Sequence, residues 1–290
     1  MWFFYSLSFA LLSSFGIFII KKLSKKIDYL PLLYIFLIFN IPLTFVLVLF
    51  IGGIPNTTSD FYIYMGLSAF LDTIAFVLAF LAISRSDISL LSPIAAFSPV
   101  FTTIIAAFTL GEVPDEKKLF GILIVILGVY LLSVSQIKKG ILVPFKGIFT
   151  NKSVLFFLVS NLIWAITPIL QKKAIFETNP QIPLFASLIG MCFGFVFLTP
   201  FAARRALGFA REVKSNMKWF LANGIGTAFG QAAAFTAFSL AYLGYVTSVF
   251  KLSILFTIIL GGVFLKEKNI KERLLGAAVM VIGTILLALP

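Results

Sequence analysis

Apolar residues run through this chain in long stretches, without the apolar-polar alternation that is typical of barrel strands. A helix that crosses the hydrocarbon core of a bilayer needs about 20 mostly apolar residues, and unbroken runs favour helices over strands. Short polar or basic stretches separate ten such runs. The predicted spans are residues 2–20, 30–51, 61–83, 88–110, 119–134, 154–170, 182–200, 219–240, 245–265 and 274–289. The pattern therefore predicts an all-α integral membrane protein with ten transmembrane helices.

Composition supports this prediction. Hydrophobic residues make up 60% of the chain and charged residues 12%, whereas soluble domains are about 45–50% apolar and about 25% charged. These values exclude a soluble enzyme, a disordered chain and a nucleic-acid-binding protein. The chain has no His, and Cys192 is its single cysteine, so we expect no metal site, no catalytic residues and no cofactor. A phosphate-binding loop of the ATPase type is also absent from the sequence, which argues against an ATP-driven pump.

Charge predicts the orientation of the chain in the membrane. The net charge is +12, from 23 Lys and Arg against 11 Asp and Glu, and most of the basic residues lie in the loops after the odd-numbered spans. Because basic loops stay on the cytoplasmic side, both termini are predicted to lie outside the cytoplasm. The first span has no basic residue before it and four lysines after it, so we interpret it as a retained helix rather than a cleaved signal. We expect a multi-pass protein of a prokaryotic plasma membrane.

The sequence contains an internal repeat. Residues 101–132 align with residues 256–287, and residues 66–82 align with residues 225–241. The repeat predicts a first unit of five helices over residues 1–135, a basic linker over 136–153 and a second unit of five helices over 154–290. Since five is an odd number, the second unit enters the membrane from the opposite side. Such inverted repeats are the architecture of many secondary transporters.

The repeat carries motifs of a known family. Ser98-Pro99-Val100-Phe101 is followed by Gly111-Glu112 and then by glycines on the next helix, and the second half keeps part of this order. This arrangement resembles the EamA-like family of the drug/metabolite transporter superfamily. The resemblance implies ten helices and transport of a small molecule, without naming a substrate. The chain departs from the family pattern at Ser98, where Glu is usual.

Asp72 is the principal candidate for the functional site. It lies near the centre of the third span, where a carboxylate costs about 2.5–3.5 kcal/mol on insertion scales and therefore marks a functional site by default. We expect it to bind a substrate amine or to carry a coupling proton; the alternative is a protonated carboxyl group that holds two helices together. The repeat alignment places Gln231 opposite Asp72, so both are predicted to bind substrate near the membrane midplane.

Lys251 lies inside the ninth span. It is predicted to anchor a carboxylate or phosphate of the substrate, a role that basic residues of this helix have in related metabolite transporters. Alternatively, its long side chain extends to the membrane surface or neutralises Asp72 in the empty site. Asp72 and Lys251 together suit a zwitterion such as an amino acid.

Three further side chains are predicted to line the site. Asn161 and Trp164 share one face of the sixth span, and Tyr245 begins the ninth span. Trp164 provides an apolar wall or a surface on which a cation stacks. The alternatives are packing roles for Asn161 and Tyr245, and a place for Trp164 in the aromatic belt at the membrane interface.

Four glycines are predicted to pack helices rather than touch substrate. Gly121 and Gly128 lie seven residues apart in the fifth span, as do Gly276 and Gly283 in the tenth, and small residues at this spacing let helices approach closely. Glu112 and Glu267 precede these helices, and we interpret both as structural residues that pair with Lys118 and Arg273.

The expected function is secondary transport of a small organic solute, an amino acid or similar metabolite, by alternating access at a site between spans 3, 4, 8 and 9, to which spans 1 and 6 are further candidates to contribute. The alternatives are a multidrug transporter and a transporter of phosphorylated metabolites or nucleotide sugars with the same fold. A channel and an intramembrane lipid-modifying enzyme are more remote, and we do not expect an enzyme. The expected partners are the substrate and the lipid bilayer, with no nucleic acid. The chain is expected to be a monomer, with a homodimer as the alternative.

Overall fold

The computed structural model describes residues 1–83, 98–131, 152–265 and 270–289. These residues are helical apart from turns and one two-stranded sheet, which confirms the prediction of an all-α fold. The first half contains α1 (Trp2–Leu23), α2 (Tyr29–Ile51), β1 (Asn56–Thr57), α3 (Ser59–Ile83), α4 (Ser98–Leu110) and α5 (Glu116–Leu131). The second half contains α6 (Lys152–Phe176), β2 (Thr178–Asn179), α7 (Pro183–Leu207), α8 (Ala210–Ser215), α9 (Met217–Leu240), α10 (Leu243–Phe250), α11 (Leu252–Leu265) and α12 (Ile270–Ala288).

Five of the described helices, α1, α2, α3, α6 and α7, are long and apolar enough to cross a membrane. The chain is therefore an integral, multi-pass membrane protein. Helix α9 is equally long but richer in Gly, Ala and amide side chains. Its outer stripe of Leu221, Ile225 and Phe229 is exposed, as expected for a lipid-facing surface with a spacing of four residues. Asn223 lies on the other side of α9 and is buried, so this helix faces lipid on one side and the protein interior on the other.

The predicted ninth span contains a one-residue turn at Lys251, which keeps right-handed helical backbone angles (φ −64°, ψ −18°). Helix α10 ends at Phe250, and Lys251 occupies a turn before α11 begins. The backbone N–H of Lys251 donates to Ser248 O at 3.1 Å, a bond of the tighter i to i−3 type. An unbroken apolar run in the sequence gave no sign of this turn. Residues 88–97 of the fourth span and 132–134 of the fifth lie outside the described residues, as do residues 136–151 of the predicted linker.

Contacts between loops define two faces of the helix bundle. On the face with the basic loops, Lys22 Nζ lies 3.8 Å from the centre of the Trp219 ring, which joins the end of α1 to the start of α9. On the opposite face, β1 pairs antiparallel with β2, and Thr58 Oγ1 donates to Glu177 Oε2 at 2.8 Å. We call these the basic face and the opposite face.

Helices α5 and α12 pack against each other through their glycines. A Cβ atom added to Gly128 would lie 2.5 Å from the backbone N of Met280 and 2.9 Å from the carbonyl O of Gly276. A Cβ atom at Gly283 would lie 2.6 Å from the backbone N of Val125 and 2.9 Å from the carbonyl O of Gly121. All four glycines therefore lie where the two backbones approach most closely, away from any solute cavity described below.

Glu112 is not paired with Lys118, contrary to the sequence prediction. Glu112 instead forms an ion pair with Lys172, across 2.6 Å between Oε1 and Nζ. Lys118 Nζ donates to the carbonyl oxygens of Leu287 and Leu289 at the end of α12. Closeness in sequence favours Lys118, whereas the fold brings Lys172 to Glu112 from 60 positions away. Glu267 lies outside the described residues, and its predicted pairing with Arg273 is not described either.

Candidate functional site

A cavity of about 510 Å³ lies between the helices, which is within the usual range of roughly 300–1,000 Å³ for small-molecule sites. Its walls come from α1, α2, α3, α7 and α9, with one residue from α6. Apolar side chains make up most of the wall. The described parts of α4, α10 and α11 contribute nothing to it, whereas α2 and α7, which the sequence did not place beside the site, contribute several residues each.

The cavity lies between the two faces of the bundle, and the positions of its wall residues along the helices show which end is nearest to each face. From α2, only the half nearest the basic face lines the wall, through Leu33, Phe36, Leu37 and Asn40. At the far end the wall is formed by Gln171 on α6, Ser187 on α7 and Phe235 on α9. Gln171, Ser187 and Phe235 therefore form the end of the cavity that is nearest to the opposite face.

Asp72 belongs to a polar cluster between α3 and α6. Gln171 Nε2 donates to Asp72 Oδ2 at 3.3 Å and to Ser68 Oγ at 3.1 Å. The hydroxyl groups of Ser68 and Thr167 also hydrogen bond with the Asp72 carboxyl group. Residues 68 and 72, like residues 167 and 171, are four apart, so each pair lies on one face of its helix. The two helices thus present neutral donors to one carboxyl group.

Asp72 is also the only acidic or basic side chain in the cavity wall among the described residues. No Lys or Arg of the described chain forms an ion pair with it. Neutral donors partly satisfy a carboxylate, but they leave its negative charge uncompensated. The site is consequently suited to a positively charged group that enters the cavity, or to a proton on the carboxyl group itself.

A second polar group lies nearer the basic face. Asn223 Nδ2 on α9 donates to Asn40 Oδ1 on α2 at 3.3 Å and to Thr227 Oγ1 at 3.4 Å. Gly224 allows the two helices to meet here, because a Cβ atom would lie 3.3 Å from the carbonyl O of Phe39 and would collide with Leu43. These amide and hydroxyl groups carry no charge and can form hydrogen bonds with a solute.

Gln231 lines the same cavity as Asp72. The two residues that the repeat alignment paired therefore face one common space. Lys251 lies outside the cavity wall, half-buried at the turn between α10 and α11. Tyr245 also lies outside it and packs against Trp2 and Tyr242, with ring centres 6.1 Å and 5.3 Å apart.

Asn161 and Trp164 do not line the cavity either. The side-chain amide of Asn161 is buried and donates to the carbonyl O of Phe157 at 2.8 Å, within its own helix. Trp164 packs edge-on against Phe76, with ring centres 5.3 Å apart. In this conformation, the Asn161 amide is satisfied within α6, and Trp164 reaches the site only through Phe76, which is part of the wall.

The sequence interpretation missed Gln171 as a partner of Asp72. A usable signal was present, because Thr167 and Gln171 are two polar residues four apart in an otherwise apolar helix, a spacing that puts them on one face. The predicted pair Asn161 and Trp164 lies about two turns nearer the basic face, where Trp164 contacts α3 through Phe76 rather than through Asp72. Asn40 and Asn223 gave no comparable signal, since they are 183 residues apart.

Comparisons with known proteins agree with this architecture. A family model described as the EamA-like transporter family matches residues 1–134 and again residues 151–289. A solved structure described only as "Crystal structure of protein" matches with a TM-score of 0.70 and 14% sequence identity, and the match covers 98% of each chain. At this identity the likeness concerns the fold alone. No curated protein matches the sequence.

Proposed function

Because the chain belongs to the EamA-like transporter family, and so to the drug/metabolite transporter superfamily, we propose that it is a secondary transporter of a small organic solute. The family consists of transporters rather than enzymes. In this proposal the solute binds in the cavity beside Asp72 and crosses the membrane by alternating access. The observation that carries the proposal is a cavity of about 510 Å³ in which Asp72 is the only acidic or basic side chain among the described wall residues.

The proposed arrangement has ten spans as two inverted five-helix repeats. The twofold match of the family model and the shared cavity of Asp72 and Gln231 support it. With a site between related halves, exchange of their conformations exposes the solute to either side in turn. We also propose that the chain acts as a monomer and that both termini lie outside the cytoplasm, which the basic loops support.

The proposed substrate carries an ammonium group and neutral hydrogen-bonding groups, as an amino acid or a similar metabolite does. Asp72 supplies the negative charge for the ammonium group. Gln231, Asn40, Asn223 and Thr227 supply amides and hydroxyls in the same cavity. A phosphorylated metabolite or nucleotide sugar fits less well, because phosphate groups are usually bound by Arg or Lys and the described wall contains neither.

A second candidate substrate is a lipophilic organic cation. Four phenylalanines line the cavity, namely Phe9, Phe36, Phe76 and Phe235. Aromatic faces attract cations within about 6 Å of the ring centre, and apolar surface favours a drug-like ligand. This observation supports multidrug transport through the same Asp72 site, and it requires no contact with Lys251.

The proposal is tested by a thermal-shift screen of the purified protein, followed by uptake into proteoliposomes. The panel contains amino acids, their decarboxylated amines, lipophilic cations, sugars and phosphorylated metabolites. A solute that binds the folded protein raises the unfolding temperature by mass action. We expect stabilisation by amine-bearing compounds in the wild type and a loss of that effect in Asp72→Asn.

Uptake distinguishes a transporter from a channel and from an enzyme. We expect saturable uptake that is accelerated by unlabelled substrate on the other side of the membrane, with the solute recovered unmodified. Flux that rises in proportion to concentration, without this acceleration, would indicate a channel. Chemical conversion of the solute would indicate an intramembrane enzyme, and stabilisation by phosphorylated compounds alone would contradict the proposed substrate class.

A further inference from the structure

Lys172 and Glu112 form a buried, fully paired ionic contact on the opposite face of the bundle. Lys172 Nζ lies 2.6 Å from Glu112 Oε1, and the two side chains are only 9% and 7% exposed. Lys172 Nζ also donates to the carbonyl O of Ala241 at 2.6 Å. The second carboxylate oxygen of Glu112 accepts from the backbone N–H of Leu243 at 2.6 Å. Both charges thus have partners in the protein.

This contact joins three segments that are distant in sequence. Lys172 lies near the end of α6, and Glu112 follows α4. Ala241 lies in the turn between α9 and α10, and Leu243 is the first residue of α10. Removing two charges from water is expensive, and ion pairs of this kind add little net stability. The best-attested role of such a buried pair is to select one arrangement of the protein over another, as a switch does.

The contact is adjacent in sequence to the cavity wall. Gln171 is the one residue of α6 in the wall, and Lys172 is the next residue along the chain towards the opposite face. Successive residues of an α-helix point about 100° apart. Gln171 therefore binds Ser68 and Asp72 on one side of α6, while Lys172 binds Glu112 on another.

We propose that Lys172, Glu112, Ala241 and Leu243 form the gate that closes the cavity towards the opposite face. This proposal rests on the alternating-access transport proposed above. When the gate opens, the end of α6 separates from the turns after α4 and α9. Gln171 moves with Lys172, so the gate is coupled through one helix to the hydrogen bonds of Asp72.

The test measures access to the cavity from each side of the membrane. In a Cys192→Ser background, which removes the single natural cysteine, Ser187→Cys places a thiol at the far end of the cavity wall. A membrane-impermeant thiol reagent is added to one side of sealed proteoliposomes. Lys117→Cys, an exposed position on the opposite face, reports separately which side the reagent reaches.

We expect Ser187→Cys to react from the basic face and to be protected from the opposite face. Adding Lys172→Met should raise the rate of labelling from the opposite face by about tenfold or more, because a buried charge loses its partner. Glu112→Gln should act in the same direction and keeps an acceptor for Leu243 N–H. Lys173→Met is the matched control, since Lys173 lies next to Lys172 but outside the ionic contact, and it should change nothing.

The outcomes separate the gate from the transport function. Unchanged protection in both Glu112→Gln and Lys172→Met would overturn the gate, provided each variant elutes as the wild type does in size-exclusion chromatography. If Lys172→Met fails to fold, the labelling rate of Glu112→Gln alone tests the gate. Increased labelling in the variants of a protein that transports none of the screened solutes would contradict the proposed function and leave the gate in place.

Discussion

The side-chain amide of Gln171 on α6 donates a 3.3 Å hydrogen bond to Oδ2 of Asp72 on α3. This bond joins two helices whose residues are 99 positions apart in the chain. It fixes the orientation of a carboxyl group that has no cationic partner among the described residues. A substrate ammonium group would therefore meet an acceptor that is already in position, so binding would not require reorganisation of Asp72.

Asp72→Asn should weaken binding of amine-bearing substrates by roughly ten- to hundredfold. The substitution keeps the shape and removes the charge, and hydrogen bonds to charged groups contribute about 1.5–3 kcal/mol. The substrate-induced rise in unfolding temperature measures the effect. Asp60→Asn is the control, because Asp60 is exposed at the start of the same helix. Equal loss in both variants would indicate a general defect rather than a lost contact at Asp72.

Gln171→Met should reduce substrate affinity by only about fivefold, because it removes a neutral donor contributing about 1 kcal/mol and keeps the length of the side chain. The Asp72 charge remains, so uptake should still saturate, at a higher concentration. Gln181→Met is the control, since Gln181 is exposed in a loop of the opposite face. Affinity unchanged in Gln171→Met would show that Gln171 does not orient Asp72 for binding.

Gly128→Ala should destabilise the fold by about 1–3 kcal/mol, the usual cost of overpacking. The new Cβ atom would lie 2.5 Å from both Cγ and backbone N of Met280, and a backbone atom cannot move aside cheaply. Gly66→Ala is the matched control in α3, where a Cβ atom meets only Phe193 at 3.9 Å. Thermal unfolding in detergent distinguishes them: equal unfolding temperatures for the two variants would exclude a tight α5–α12 contact.

Lys118→Met should loosen the end of α12. Lys118 Nζ donates to the carbonyl oxygens of Leu287 and Leu289, and a cation at a helix C-terminus contributes about 0.3–1 kcal/mol. Hydrogen exchange in the last turn of α12 should become faster while exchange in α6 stays unchanged. The neighbouring Lys117 is exposed, so Lys117→Met should leave both rates as in the wild type. Faster exchange throughout the protein would indicate global destabilisation instead.

The sequence predicts this fold well at the level of single helices. Apolar run length locates the helices, since a lipid-exposed stretch of roughly 20 residues is visible without any knowledge of neighbours. The alignment of the two halves also pointed to Asp72 and Gln231 as residues that face one space. The length of the apolar runs and the similarity of the two halves can both be read from the sequence alone.

What the sequence could not provide are contacts between distant segments. Lys172 looks like any lysine at the end of a span, and its partner Glu112 lies 60 residues away. Gly224 allows α9 to approach α2, and only that crossing brings Asn223 to Asn40. The turn at Lys251 is hidden because its neighbours are apolar on both sides, so hydropathy stays high across the break between α10 and α11.

Lys251→Met tests whether this lysine contacts the substrate in another conformation. Lys251 lies outside the cavity wall here, so we expect unchanged binding of a decarboxylated amine. The turn between α10 and α11 could move during transport and bring the Lys251 ammonium group to a substrate carboxylate. In that case, uptake of the matching amino acid by Lys251→Met should fall by about fivefold or more. The ratio of the two uptake rates is the measurement, because it cancels differences in the amount of active protein. An equal loss for both compounds would make Lys251 a structural residue of the turn and would remove it from the proposed substrate site.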